Sequence, residues 1–275
     1  MKWRSVLLPV SAAMLSIAAA PAGTAESASC SAGTARVWGG PAGRALIEAP
    51  QAAPRGEGPG ACFINSLYGS ESPIAGVYTG VADIAFMARE VREPMERMAF
   101  EWARLDKPTV IDFAHGGLLA DRPGAQLAVI VNPNNPVAAL TLAQLDGIVG
   151  AEGLRSATPV RRWSDAGVTG PLGTQPLAVY GTAVDGVPML FVRRHVMKNS
   201  RKWNPSLKAL DSDAAVIAAV ARHPAAIGIV RAGAMDRRVR SVPLSAKAGE
   251  AATRPEREAI IGGRYPLGRT LSPAV

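Results

Sequence analysis

A continuous apolar run near the middle of the chain restricts the fold more than any other feature. Residues Leu127–Val131 read LAVIV, and the run ends at the strand-breaking segment Asn132–Pro136. Successive residues of a strand face opposite sides of a sheet, so an unbroken apolar run implies burial on both faces. Strands of parallel sheets that are covered by helices have this composition. The run therefore predicts an α/β fold.

Strand-like and helix-like segments alternate along the rest of the chain. A strand over 62–67, a helix over 73–79 capped by Ser72, and a strand over 81–88 form a predicted βαβ unit. Such alternation favours parallel sheets with helices packed on them. The other predicted strands cover 35–38, 177–180 and 226–230, and the other predicted helices cover 42–53, 140–149 (capped by Thr141), 186–197 and 213–222.

The N-terminus has the pattern of a secretory signal. Two basic residues stand within the first four positions, Val6–Ala20 is largely apolar, and small residues follow. This pattern predicts a signal peptide over residues 1–25, cleaved near Ala22 or Ala25, and a periplasmic location for the mature protein. The alternative is a membrane anchor, but the apolar run is shorter than the roughly 20 residues that a membrane-spanning helix needs.

The two cysteines, Cys30 and Cys62, both lie near the predicted start of the mature protein. In an oxidising compartment a single pair predicts one disulfide. It would close a loop of about 30 residues and stabilise the fold by about 3–4 kcal/mol. The alternative for Cys30 is a lipid anchor, although the preceding Ser27–Ser29 lacks the leucine of a lipoprotein signal.

The composition indicates a packed chain that does not bind nucleic acid. Hydrophobic residues make up 48% and charged residues 19% of the sequence, which permits a sizeable core. The formal net charge is +8, but the basic residues are scattered and no aromatic series accompanies them, as a nucleic-acid surface would require. A solvated basic face explains the charge.

The sequence lacks the motifs of common catalytic sites. The three histidines, His115, His195 and His223, are not spaced as metal ligands. There is no Gly-x-Ser-x-Gly elbow and no glycine fingerprint of a nucleotide site. We therefore predict a protein that is not an enzyme and that uses no metal and no cofactor.

Several places in the sequence could bind an anion. The loop Gly69–Ser72 precedes Pro73 at a predicted helix start, where backbone N–H groups and the helix dipole favour an anion. Glu71 in this loop would compete with such a ligand. Arg89 and the turn Gly181–Thr182 each follow a predicted strand, at the edge where α/β sheets bind ligands. The alternatives are an ordinary capped helix and a surface arginine.

A series of short motifs resembles the solute-binding proteins of phosphate ABC transporters. Residues Gly80–Arg89 read GVADIAFMAR, similar to the family's G-x-ADIA-x-M-S-R stretch. Residues 129–136 and 140–145 are similar to its VIVNPDNPV…LTLEQL stretch. The remaining similar segments are Arg162–Asp165, Val179–Gly181, His223–Val230 and Tyr265–Leu271.

The resemblance implies a type II periplasmic binding fold, with two α/β lobes and a hinge between them. Lobe 1 would comprise residues 31–130 plus 231–275, and lobe 2 residues 131–230. The implied function is that of an extracytoplasmic solute-binding protein, expected to be a monomer, which binds phosphate or a related small anionic ligand for a membrane ABC permease. The implied ligand-binding residues are Gly40, Gly69, Ser70, Ser72, Arg89, Gly181 and Thr182.

The sequence departs from the family pattern at the ligand positions. Glu71 stands in the loop where the family has Gly-Ser-Gly-Ser, and Ala88 precedes Arg89 where the family has serine. Around Thr182 an arginine and a Ser-Gly-Thr segment are missing. Because a desolvated phosphate needs nearly all its oxygens hydrogen-bonded, the alternative is an exported sensor or interaction protein with a degenerate cleft. Convergence of the predicted hydroxyl groups and Arg89 on one cavity would separate the two hypotheses.

Overall fold

The computed structural model describes residues 33–41, 44–45, 62–69, 71–87, 89, 91–92, 94–111, 114–121, 124–155 and 158–271. The strands are β1 (Thr34–Gly39), β2 (Cys62–Ser66), β3 (Ile84–Phe86), β4 (Ala114–His115), β5 (Leu127–Val131), β6 (Leu140–Thr141), β7 (Ala178–Gly181), β8 (Leu207–Ala209), β9 (Ala226–Arg231), β10 (Arg240–Ser241), β11 (Leu244–Ser245) and β12 (Thr270–Leu271). The α-helices are α1 (Pro73–Tyr78), α2 (Met95–Arg104), α3 (Leu142–Val149), α4 (Val187–His195), α5 (Asp213–Arg222) and α6 (Arg257–Ile261).

The first sheet has the order β2-β1-β3 and is parallel throughout. The βαβ unit predicted around α1 is therefore confirmed, although its last strand is shorter than predicted. Helices α1 and α2 pack together, with Ile74, Val77 and Phe100 in one apolar cluster. A Cβ added at Gly76 of α1 would lie 2.7 Å from a ring carbon of Trp38, so this close approach of helix to strand requires glycine.

The second sheet has the order β10-β5-β9-β7-β8. Every residue of β5 is buried, as the apolar run predicts. The prediction of parallel neighbours for this strand is wrong, because β5 pairs antiparallel with both β9 and β10. Its alternate residues enter two separate cores: Leu127 and Val129 one, Ala128 and Ile130 the other. Cover on both faces explains the composition of β5, whatever direction its neighbours run.

Two of the predicted helix caps have different outcomes. Thr141 caps α3 in a reciprocal capping box, because its Oγ1 accepts from the Gln144 N–H (3.0 Å) and the Gln144 side chain accepts from the Thr141 N–H (2.9 Å). Ser72 precedes α1 but its side chain makes no cap hydrogen bond. Its hydroxyl instead donates to the Gly69 carbonyl at 3.3 Å, so Ser72 has the predicted N-cap position but its side chain does not cap the helix.

The C-terminal part of the chain packs against the core of the second sheet. Ala259, Ile260 and Leu267 belong to the same apolar cluster as Leu127. The Tyr265 hydroxyl donates to the Leu127 carbonyl at 2.7 Å, and burial raises the pKa of this tyrosine. The predicted lobe boundaries stay a prediction.

Some of the sequence-based predictions concern other parts of the chain. The signal peptide, Cys30 and, apart from residues 44–45, the helix predicted over 42–53 lie outside the described residues. Cys62 is the first residue of β2, and the disulfide between the two cysteines stays a prediction. None of the helices in the described ranges has the length and apolar character needed to cross a membrane.

Candidate anion-binding site

The loops that follow β1 and β2 lie side by side, because these strands are neighbours in a parallel sheet. The Gly69 N–H donates to the Gly39 carbonyl at 3.2 Å, which brings Gly69 close to the predicted site residue Gly40. Ser72 is half-buried, and its hydroxyl is bonded within this loop. Ser70 lies outside the described residues. The carboxyl edge of the first sheet thus gathers several of the predicted ligand residues.

Arg89 follows β3 at this same edge, and only 1% of its side chain is exposed. Glu96, in the first turn of α2, binds its guanidinium through two hydrogen bonds: Nη1 to Oε2 at 2.9 Å and Nη2 to Oε1 at 2.6 Å. Glu71, in the loop before α1, accepts a third hydrogen bond from Nη2 to Oε2 at 3.2 Å. Arg89, a ligand candidate from the sequence, is therefore buried and already bonded to two carboxylates.

Arg92 joins the same group of charges. Its Nη2 and Nη1 contact the two oxygens of Glu71 at 3.1 and 2.8 Å. Its backbone N–H donates to Glu96 Oε2 at 2.7 Å. Glu71, Arg89, Arg92 and Glu96 form one connected set, which we call the arginine–glutamate cluster. Sequence reasoning missed Arg92 and Glu96, whose only local signal is their spacing of four residues at the start of α2.

The cluster has an inner and an outer part. Arg89 and Glu96 are 1% and 15% exposed at their side chains, whereas Arg92 and Glu71 are 38% and 61% exposed. Burial opposes the charge of Arg89, but hydrogen bonds and Coulombic attraction from Glu96, and then Glu71, outweigh it and raise the pKa of this arginine. Arg89 is therefore a permanently charged group in a site partly removed from water.

Two guanidinium groups placed in this way can bind an oxyanion. The planar N–H fork of arginine matches the oxygens of a carboxylate or a phosphate. In this structure the carboxylate of Glu71 takes the oxyanion position between Arg89 and Arg92. Glu71 thus directly contacts the donors that an anion would use, and its predicted competition with an anionic ligand stays a prediction.

The two other predicted ligand residues lie on the second sheet. Gly181 ends β7 and is buried, and a Cβ there would lie 3.0 Å from the Met189 methyl group of α4, so a larger residue would require the Met189 side chain to shift. Thr182 is half-buried in the following bend. The N-cap residue of α4 is Gly186, which has no side chain that could cap the helix. The predicted ligands are thus divided between the two sheets.

A cavity of about 720 Å³ lies away from these residues, between the first sheet and α2. In the described chain its lining includes Arg36, Asp83, Phe100, Arg104 and Lys107, and none of the predicted site residues. Among the described residues no group of three or more His, Cys, Asp or Glu side chains is placed to hold a metal ion.

The chain is similar to phosphate-binding proteins in both sequence and structure. It is 28% identical over 205 residues to the phosphate-binding protein PstS of two Pseudomonas aeruginosa strains, over 74% of this chain. An ABC-type phosphate transport receptor from Vibrio cholerae has a TM-score of 0.58 at 20% identity, over 88% of this chain and 86% of that one. PstS from Borrelia burgdorferi has a TM-score of 0.60 at 14% identity, with the same two coverages. The predicted resemblance to the phosphate-binding proteins is confirmed.

The solved structures share the fold with this chain, and the predicted α/β class and two-lobe fold are confirmed. The chain spans 60% of the length of the curated relatives that it matches. No family model matches the chain.

Proposed function

We propose that this chain is an exported solute-binding protein that binds phosphate or a related small oxyanion and delivers it to a membrane ABC permease. The observation that carries the proposal is the buried Arg89 at the carboxyl edge of the first sheet. The likeness to phosphate-binding proteins supports it. The proposed role is binding without chemical conversion, in keeping with relatives that are named for binding and transport.

The remaining donors would come from both lobes. Ser70 and Ser72 would supply hydroxyl groups beside Arg89, and Gly181 and Thr182 would approach from the second sheet when the lobes close about a hinge. Closure of this kind excludes water and strengthens each hydrogen bond to the anion. The ligand would thereby gain partners that the open edge of one sheet cannot supply.

The second candidate is a sensor or interaction protein that has this fold and a degenerate cleft. The contacts of Glu71 favour it, because its carboxylate already occupies donors of Arg89 and Arg92. A protein of this kind would not need a free anion.

Titration of the mature protein with phosphate tests the proposal. The protein is unfolded and refolded in phosphate-free buffer, and its thermal unfolding is then followed with phosphate or sulfate added. A ligand at 100 times its dissociation constant adds about 2.7 kcal/mol of stability. We expect a saturable shift that Arg89→Ala abolishes and that Arg97→Ala, a change in the exposed Arg97–Glu101 pair of α2, leaves in place. No shift with either anion would reject the proposal in favour of the second candidate.

A further inference from the structure

We propose that Glu71 sets the oxyanion affinity of this protein: its carboxylate occupies the position between Arg89 and Arg92 that an oxyanion takes, and a ligand must displace it. The inference rests on the proposed function and adds Arg92 to the site. It also assigns different roles to the two glutamates of the arginine–glutamate cluster.

The contacts of Glu71 are those of a bound oxyanion. One of its oxygens, Oε2, lies 3.2 Å from Arg89 Nη2 and 2.8 Å from Arg92 Nη1. The other, Oε1, accepts from Arg92 Nη2 at 3.1 Å. Glu71 therefore engages the fork of Arg92 with both oxygens and reaches Arg89 with one. A phosphate can also offer two of its oxygens to an arginine fork, and it carries more charge, so it competes for the same donors.

Of the two glutamates that contact Arg89, Glu71 is the one that an anion can displace. Its side chain is 61% exposed, and ion pairs that face water contribute little, because solvent screens them. It lies in the loop before α1, outside any regular element. Displacement by an anion breaks the two ion pairs of Glu71, with Arg89 and with Arg92, and removes no contact within α1 or β3.

Glu96 differs in every one of these respects. Its side chain is 15% exposed and bonds Arg89 at 2.9 and 2.6 Å, and its Oε2 also accepts from the Arg92 backbone at 2.7 Å. It is held in the first turn of α2. Glu96 is therefore a positioning residue that fixes the Arg89 guanidinium, whereas Glu71 occupies the N–H donor that an anion would use.

The charge balance explains why Glu71 lowers affinity. Two arginines and two glutamates make the cluster neutral overall. A phosphate that displaces Glu71 from the arginines still meets its negative charge on the same loop, and like charges brought together at a binding site weaken binding. Removal of the Glu71 charge leaves a surplus positive charge that an anion neutralises.

The test measures phosphate binding by calorimetry at constant low salt for the wild type, Glu71→Gln and Glu71→Gly. The glycine variant restores the residue of the phosphate-binding loop that the sequence resembles. Glu101→Gln is the matched control, because it removes a carboxylate of α2 that pairs with Arg97 at (i, i+4). Glu96→Gln is the variant expected to change phosphate affinity in the opposite direction. Thermal unfolding checks that each variant is folded.

We expect both Glu71 variants to bind phosphate roughly tenfold tighter than the wild type. We expect Glu101→Gln to bind as the wild type does and Glu96→Gln to bind more weakly. Binding by the Glu71 variants together with no measurable binding by the wild type also supports the inference. Equal or weaker binding by both Glu71 variants overturns it while the proposed function stands. Absence of phosphate binding by the wild type and by all the variants overturns the inference, and the proposed function falls with it if the thermal titration also shows no shift with sulfate.

Discussion

Replacement of Glu96 by glutamine changes only a few atoms, but we expect it to lower the free energy of unfolding substantially. Glu96 is the principal partner of a guanidinium that is only 1% exposed. Glutamine keeps the shape of the side chain and one acceptor oxygen, but it removes the negative charge. The buried positive charge of Arg89 then has only the longer contact with Glu71, at 3.2 Å, to balance it.

The magnitude follows from the burial of the pair. Removal of one partner from a buried ion pair costs about 3–5 kcal/mol, because the other charge stays out of water. Here the glutamine oxygen and Glu71 offset part of that cost, so we expect a loss of about 2 kcal/mol in the free energy of unfolding. In a protein of this size such a loss lowers Tm by roughly 4–8 °C.

Thermal unfolding followed by circular dichroism, with urea unfolding as a second measurement, checks this value. Glu101→Gln is again the control: the Arg97–Glu101 side chains are 40% and 33% exposed, and helix pairs of this kind contribute only about 0.3–0.5 kcal/mol. If Glu96→Gln lowers Tm no more than Glu101→Gln does, Arg89 is not a buried charge that depends on Glu96, and the positioning role of Glu96 is wrong.

Two further predictions concern contacts away from the site. Tyr265→Phe leaves the Leu127 carbonyl without its 2.7 Å donor from the tail. We expect the free energy of unfolding, measured with urea, to fall by about 1–2 kcal/mol. An unchanged urea midpoint would show that this bond is not needed to hold the tail. Hydrogen bonds from the Arg36 side chain and backbone lower the pKa of Asp83 from 3.8 to about 2. The stabilisation of the folded state by this pair is therefore complete above pH 3.8 and is lost as the pH falls towards 2. Asp83→Asn should lower Tm at pH 6 by less than about 3 °C, because the pair is exposed. It should also reduce the difference between the Tm at pH 4 and the Tm at pH 2. If the wild type and the variant show the same difference, the pairing of Asp83 with Arg36 is contradicted.

The elements of the fold that depend on nearby residues were predictable. The helix predicted over 213–222 has those bounds in the structure, and the Thr141 cap follows from a glutamine three residues later. The last strand of the βαβ unit was predicted too long. The Val81 and Ala82 N–H groups donate to the Gly76 carbonyl, so these residues complete the turn after α1 and cannot enter the sheet.

The candidate site was predictable in part. The position of Arg89 follows from its place after a strand, because the ends of parallel strands share one edge of a sheet. Its main partner was not predictable in the same way, since Glu96 lies on α2, a helix that the sequence reasoning did not identify. Ser72 has its predicted N-cap position, but its side chain does not cap the helix, because its hydroxyl bonds the Gly69 carbonyl within the loop.

The sequence by itself determined the α/β class, most of the described helices, half of the described strands, and the place of Arg89, because each depends on periodicity or on residues a few positions apart. The tertiary structure alone decided that β5 runs antiparallel to its neighbours, since burial on both faces leaves strand direction open. It also decided that Glu71, 18 residues before Arg89, binds it. Contacts of that kind depend on how separate loops meet at the edge of a sheet, and no local pattern encodes them.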